Sequence, residues 1–358
     1  MNAPNPAVIA TPAAAIRGLI HDAMIACGLP DDDAKRVASL MAEADLTGAD
    51  GHGVFRLPQY IRRIRGGAVN TRPNIQVERR GAAVALVDGD NGMGHLVVSR
   101  AAETAIELAR ESGIGWVGVR GSNHAGPGAL YAEMPVKRGM IGIYSAVASA
   151  NHMAIWGGKE PLLGTNPLAV GIPSGDGAPV LLDIATTVVS YGTVKSHVLQ
   201  DKPLPEGWMV LTTDGSPLTD QRHSSEGLLL PIGGYKGSGL ALVLGILAGT
   251  LNGAAFGKEV IDFNADINSA TNTGHFILAM DVCRFMAPDL FFSMLDSQLE
   301  SLRTGSAIPG MEIRIPGEQR EARRIRRLSQ GIPLAAQLVS QLDDLAASLG
   351  IIALAGRH

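Results

Sequence analysis

The run "GSGLALVLGILAGTLNGAAFG", Gly237–Gly257, carries no charge and as one helix is long enough to cross a bilayer. A chain with such a run must place it in lipid or build a core around it. Six glycines and Asn252 interrupt it and no second span accompanies it, so the run predicts a buried helix at the centre of a globular fold. The composition agrees. Hydrophobic residues make up 46% of 358 residues and charged residues 18%, which excludes disorder and suffices for one large or two ordinary domains. Forty-four glycines against 4% aromatics suit close backbone packing around a small-molecule site.

Net charge is −4, so nothing predicts a nucleic-acid partner. The one basic run, "REARRIRR" at Arg320–Arg327, reads as a solvated helix face. Cys27 and Cys283 form no disulfide framework, which points to a reducing cytoplasm. The first basic residue is Arg17, so the N-terminus lacks the charged region of a secretory leader.

"AAAIRGLIHDAMIACG" and "PDDDAKRVASLMAEADLTG" place apolar residues at steps of three and four before a glycine, which predicts two helices. Pro58 fits the first turn of a helix but not its interior, so a third helix is predicted from near Arg56 to Gly66. From about residue 75 the pattern is mixed. "AAVALVDG", "IGWVGVRG", "MIGIYSAVAS", "PLAVGIPS", "PVLLDIAT" and "HFILAMDV" read as strands. "HLVVSRAAETAIELARESG" and "APDLFFSMLDSQLESLRTG" read as helices, and the tail from Ile315 is helical again. The order predicts an α/β fold: a helical domain of residues 1–75, completed by 315–358, beside a central mixed α/β domain of 76–314.

Four stretches carry candidate chemistry. "ADGHGVFRLPQY" spaces His52, Arg56 and Tyr60 four residues apart, with His52 in a loop and Arg56 at a helix mouth, where free N–H groups favour an anion. "GSNHAGPGALYA" follows a strand and carries His124 in a turn whose backbone N–H groups can hold a pyrophosphate. A lone histidine in a turn is more often a structural hydrogen-bonder than a catalyst. "GGKEPLLGTNPLAVGIP" sets Thr165 and Asn166 among turn signals, and "LLDIATTVVSYG" puts Asp183 at a strand end. Two glycine patterns are set aside. "GIGWVG" lies inside a strand rather than between strand and helix, and "GGYKGSG" lacks P-loop spacing. The histidines have no HExxH spacing, so no metal site is expected.

Taken together, "EADLTGADGHGVFRLPQYIRRIRGG", "VDGDNGMGHLVVSRA", "SNHAGPGALYA", "WGGKEPLLGTNPLAVGIP", "LDIATTVVSYG", "LLPIGGYKGSGLAL" and "RIPGEQR" resemble the malate/L-lactate dehydrogenase family of non-Rossmann NAD(P)-dependent oxidoreductases. The likeness runs nearly end to end. It implies a distinctive α/β fold with a helical domain, a homodimer, NAD or NADP as cofactor, and a small-molecule carboxylate substrate, without nucleic acid or membrane. It implies hydride transfer between NAD(P) and a 2-hydroxy or 2-oxo acid. His52 and His124 are the candidate proton carriers, and Arg56, Tyr60 and Thr165 the candidate substrate ligands. His124, Ala125, Gly126, Pro127, Gly128, Asp183, Ile184, Ala185, Lys236, Gly237, Pro316, Gly317 and Glu318 match cofactor-binding segments.

Two positions depart from the family pattern. Gly51 stands where a serine usually precedes the histidine, and Thr193 lies near the position where imine-reducing members have an aspartate. Both weaken the alternative of a cyclic-imine reductase; a catalytically dead, ligand-binding relative is the other alternative. Between the histidines, His52 is favoured as the proton carrier, because Arg56 one helical step away would bring the substrate oxygen to it. Histidine suits that task through a free pKa near 6.5, and arginine suits a carboxylate through its planar fork.

Overall fold

The computed structural model describes residues 8–175 and 177–357. Met1–Ala7, which belong to the expected helical domain and to the leader reading, lie outside the described residues. The two chain ends meet. Strand Val8–Thr11 pairs antiparallel with Ile332–Ala335, which ties the N-terminal helices Ala13–Ala26, Asp31–Thr47 and Leu57–Arg65 to the C-terminal helices Glu318–Gln330 and Ala336–Leu349. Their apolar stripes close over one core that includes Ile16, Met24, Met41 and Leu57 from the start of the chain and Leu342 and Ala346 from its end.

A second core lies against a seven-stranded sheet. Its order in space is Gln76–Arg79, Val84–Asp88, Ile114–Ser122, Thr273–Asp281, Met140–Ala146, Leu168–Ile172 and Val180–Ile184. Only Val84–Asp88 and Ile114–Ser122 run parallel, joined by the helix Gly94–Ser112; every other neighbouring pair is antiparallel. The mixed α/β fold expected from the resemblance is the one found. Thr273–Asp281 fills the gap between strands far earlier in the chain, and Gly115, Gly142 and Gly274 let backbone approach where a Cβ would stand 2.2 Å from a carbonyl oxygen.

The uncharged run behaves differently from its reading. The helix covers Tyr235–Ala248 rather than 237–257, and its end is sealed by Asn252, whose buried Nδ2 donates to the carbonyls of Leu247, Ala248 and His275. Gly237, Ala241, Leu244 and Ala248 face the protein, but Val243 and Ile246 stay 52% and 42% exposed. The helix is therefore half-buried, with an apolar outer stripe. No described helix is long and apolar enough to cross a membrane. Helix Pro288–Arg303, found as expected, also leaves Leu290 and Met294 exposed.

The basic run also corrects its reading. Arg327 is buried, and its guanidinium donates to the carbonyl of Asp45 and to both carboxylate oxygens of Asp50. Arg324 donates to Glu43 at 2.8 Å. One face of this helix is not solvated; it packs on the helix Asp31–Thr47 and braces the loop that follows. A helix repeat of 3.6 residues spreads closely spaced arginines over all faces, so some must turn inward.

Candidate active site

The loop from Gly48 to Arg56 is built by local constraints. Helix Asp31–Thr47 begins with Asp31, Asp32 and Asp33 at its positive end and stops at Gly48, whose φ of 88° is left-handed. Two short 3₁₀ turns follow, Asp50–His52 and Val54–Arg56, before Pro58 enters the first turn of helix Leu57–Arg65. Beneath them lies Asp45, buried, whose Oδ2 accepts the Val54 N–H at 2.8 Å. A Cβ on Gly53 would stand 1.9 Å from that carboxylate, so only glycine fits there. Burial pushes the Asp45 carboxyl up to about 8.

These turns open onto a cavity of about 650 Å³ lined by His52, Arg56, His124, Thr165, Lys195 and Asn264, among others. Arg56 is fixed from two sides. Its Nε donates to the Gly51 carbonyl at 2.8 Å and its Nη1 to Asn264 Oδ1 at 3.2 Å. His52 and His124 stack with centroids 5.3 Å apart and an interplanar angle of 11°. Part of the His52 ring opens to the cavity, yet its dense surroundings, and then the Arg56 cation, push it down to about 4. His124 is pushed down as well, by burial first and then by His52 and Arg56.

The hydrogen bonds distinguish the two rings. Tyr60 Oη lies 2.6 Å from His124 Nδ1, and the Gly126 N–H donates to the same nitrogen at 3.4 Å. A backbone N–H can only donate, so Nδ1 is the acceptor and the ring proton of neutral His124 sits on Nε2. Tyr60 itself is 1% exposed and packs edge-on against His95 and Phe263. It stands behind His124, outside the cavity lining, while Thr165 stands within it.

The segments matched to cofactor binding gather around the end of strand Val180–Ile184. Asp183 Oδ2 accepts the Ala129 N–H at 2.9 Å, which ties the strand to the His124–Gly128 turn. The Leu181 N–H donates to the Pro316 carbonyl at 3.0 Å, and Gly317, at φ 105°, leaves no room for a Cβ beside the Pro179 carbonyl. Lys236 and Gly237 join through Ile232, which accepts from Gly237 N–H and donates to Thr186. Glu318 accepts from Arg303 and from the Ile315 N–H. One side-chain bond and several backbone bonds thus bring together Asp183–Ala185, Lys236–Gly237, Pro316–Glu318 and the turn Ala125–Gly128, although these segments are far apart in sequence.

Sequence reading missed several residues in the cavity wall and, in His95, one buried behind it. His95 and His275 are buried and pushed down to about 3 by burial, and His152 is pushed down to about 4. His275 is held between Tyr144 Oη at 2.9 Å and Ser122 Oγ at 3.1 Å. Lys195 and Asn264 carried no motif. "VDGDNGMGH" does contain His95, but nothing local marks it as lying against Tyr60. The two departures also have a structural side. A Cβ at Gly51 would meet nothing within 4 Å, so a serine would fit but its hydroxyl is missing. Thr193 Oγ1 is paired with Ser190 Oγ at 3.0 Å.

A histidine pair beside a fixed arginine, next to glycine-lined turns, is the layout the resemblance implies. A family profile described as malate/L-lactate dehydrogenase matches residues 11–343. The chain belongs to the malate/L-lactate dehydrogenase family. The malate dehydrogenase of Pyrococcus horikoshii is 37% identical over 332 residues, spanning 90% of this chain and 91% of that protein. The L-sulfolactate dehydrogenase of Methanothermobacter thermautotrophicus is 35% identical over 333 residues, spanning 93% and 95%. The solved malate dehydrogenase structure from Pyrococcus horikoshii superposes with a TM-score of 0.89 at 33% identity, covering 98% of this chain and 99% of that one. Membership makes the chain an oxidoreductase of the hydroxy-acid dehydrogenase class.

Proposed function

We propose that this protein interconverts a small 2-hydroxy acid and its 2-oxo acid with NAD or NADP. The observation that carries the reading is the cavity in which Arg56, His52 and the Nε2–H of His124 stand together. Ala125–Gly128, Asp183–Ala185, Lys236–Gly237 and Pro316–Glu318 would hold the dinucleotide. They suit one, because left-handed Gly126 and Gly317 allow close backbone approach. The nicotinamide, when bound, supplies or accepts the hydride at the substrate's second carbon.

The protein's own groups do the rest. The guanidinium of Arg56 binds the carboxylate through its remaining N–H groups. Burial holds His52 down first and the Arg56 cation second; the substrate carboxylate offsets the second of these and so moves the His52 pKa upward. At most one of the two stacked rings carries an added proton at a time, since two adjacent imidazolium cations repel. Donors on His124 Nδ1 stabilise neutral His124, so the proton goes to His52. His52 then protonates the substrate oxygen in reduction and accepts its proton in oxidation, while the His124 Nε2–H orients that oxygen.

We take residues 1–75 with 315–358 as the helical domain and 76–314 as the domain that holds the dinucleotide. We infer a homodimer as well, because the exposed apolar stripe of Val243 and Ile246 would be covered by a second copy; sedimentation as a ~37 kDa particle with full activity would overturn that. The absence of the serine and aspartate hydroxyl and carboxyl at positions 51 and 193 counts against imine reduction. Two free cysteines, one of them exposed, fit a reducing cytoplasm. The test is NAD(P)H oxidation at the nicotinamide absorbance band with a panel of 2-oxo acids and cyclic imino acids. Turnover of 2-oxo acids is expected; turnover of imines alone, or none with either cofactor, overturns the reading.

A further inference from the structure

His52 has no hydrogen bond to fix its own ring. Its buried Nδ1 meets no partner among the described residues, and Gly51 beside it carries no side chain. The ring stacks on His124, which leaves it free to slide in the stacking plane. Where the ring stands is therefore decided by the backbone of the turn Asp50–His52, and by whatever holds that turn.

Three side chains hold the turn and the residues that follow it. Asp45 accepts the Val54 N–H from below at 2.8 Å. Arg56 Nε donates to the Gly51 carbonyl at 2.8 Å. The third is Arg327, 277 residues after Asp50 on the helix Glu318–Gln330. Its Nη1 donates to Asp50 Oδ1 and to the Asp45 carbonyl, and its Nη2 donates to Asp50 Oδ2 at 3.1 Å. A fork on a carboxylate fixes direction as well as distance. One guanidinium thus ties the last turn of the helix Asp31–Thr47 to the first residue of the His52 turn.

We propose that Arg327 is a positioning residue for proton transfer: by fixing Asp50, two residues before His52, it sets where the His52 ring stands against the substrate oxygen. This rests on the 2-oxo acid reading above, with His52 as its proton carrier. The other arginines of that helix do a different job. Arg324 donates to Glu43 at 2.8 Å and Arg323 to the Thr47 carbonyl at 3.4 Å, both on the helix Asp31–Thr47. They dock one helix on another. Among the described residues of the helix Glu318–Gln330, only Arg327 bonds to the turn itself.

The experiment compares wild type, Arg327→Met, Arg327→Lys, Asp50→Asn, the double variant Asp50→Asn with Arg327→Met, and Arg324→Met. Each is assayed with the fastest 2-oxo acid of the panel above, well below its own Tm, and the Kd for NAD(P)H is read by nicotinamide fluorescence. Arg327→Met should lower kcat by about 10- to 100-fold, the cost of misplacing a reacting group by about 1 Å. Its Kd for NAD(P)H should hold, and KM for the 2-oxo acid should move by less than about threefold, because Arg56 keeps its Asn264 contact. Arg327→Lys should recover part of the loss. The double variant should fall no more than about twofold below Arg327→Met, since both changes remove one contact. Arg324→Met should keep its kcat. A kcat for Arg327→Met close to wild type, losses that multiply in the double variant, or an equal loss in Arg324→Met would each overturn the proposal. A loss carried by KM instead of kcat would place Arg327 behind Arg56 and overturn it too. Should Arg327→Met fail to fold, Asp50→Asn removes the same contact from its exposed side and decides the matter. Absence of wild-type turnover on every 2-oxo acid would instead overturn the 2-oxo acid reading.

Discussion

Replacing Tyr60 by Phe removes one hydroxyl and leaves the ring packing against His95 and Phe263 in place. The lost contact is the 2.6 Å bond to His124 Nδ1; the remaining donor, Gly126 N–H, is 3.4 Å away and weak. A net hydrogen bond of about 0.5–1.5 kcal/mol is then missing from the neutral Nε2–H form of His124. At about 1.4 kcal/mol per tenfold, His124 competes for the shared proton, or flips tautomer, about 2- to 12-fold more readily. We expect kcat to fall by about that factor, with KM for NAD(P)H unchanged. The assay is steady-state NAD(P)H oxidation across pH 5–9, with a thermal melt to show that the variant is folded. A kcat within experimental error of wild type at every pH would refute the claim that Tyr60 fixes the His124 tautomer. A loss above about 10³ would place Tyr60 among the groups that move the proton.

Three further outcomes follow from the same geometry. Arg56→Lys keeps the charge but loses the fork and the Gly51 contact, so KM for the 2-oxo acid should rise and kcat/KM fall about 10- to 100-fold; an unchanged KM removes Arg56 from the substrate site. His52→Ala should lower kcat about 10²- to 10⁴-fold with NAD(P)H affinity kept, and His124→Ala, which removes the orienting Nε2–H at the head of the turn proposed to hold the dinucleotide, should lower kcat less and weaken cofactor binding. If His124→Ala abolishes kcat with affinity intact while His52→Ala moves only KM, the roles are exchanged. Buried His95 stays neutral down to about pH 3, whereas the unfolded chain takes up protons below about pH 6.5, so stability falls as pH drops through that window. His95 has no hydrogen-bond partner to lose, so His95→Leu should flatten the fall of Tm between pH 6.5 and 4; an unchanged slope would exclude His95 as a cause.

Local chemistry settled a good deal of this protein before any fold was known. Pro58 fits the first turn of a helix better than its interior, and the structure begins that helix at Leu57; the apolar runs of residues 84–88, 114–122 and 140–146 gave strands where strands are found. The stretch around His52 and Arg56 was readable because its residues lie within one loop and one helix turn. What the sequence could not hold was which distant groups share a cavity. Strand Thr273–Asp281 enters the sheet between neighbours some 150 residues earlier, so its His275 reaches Ser122 only through tertiary pairing. Asn264 meets Arg56 across 208 residues and Lys195 across 69, and Tyr60 meets His124 across 64. The burial of Arg327 under the His52 loop and the exposed stripe on the uncharged helix were misread for the same reason. Periodicity reports what a residue's own element can do, whereas burial depends on which other element packs against it, and only the folded chain decides that.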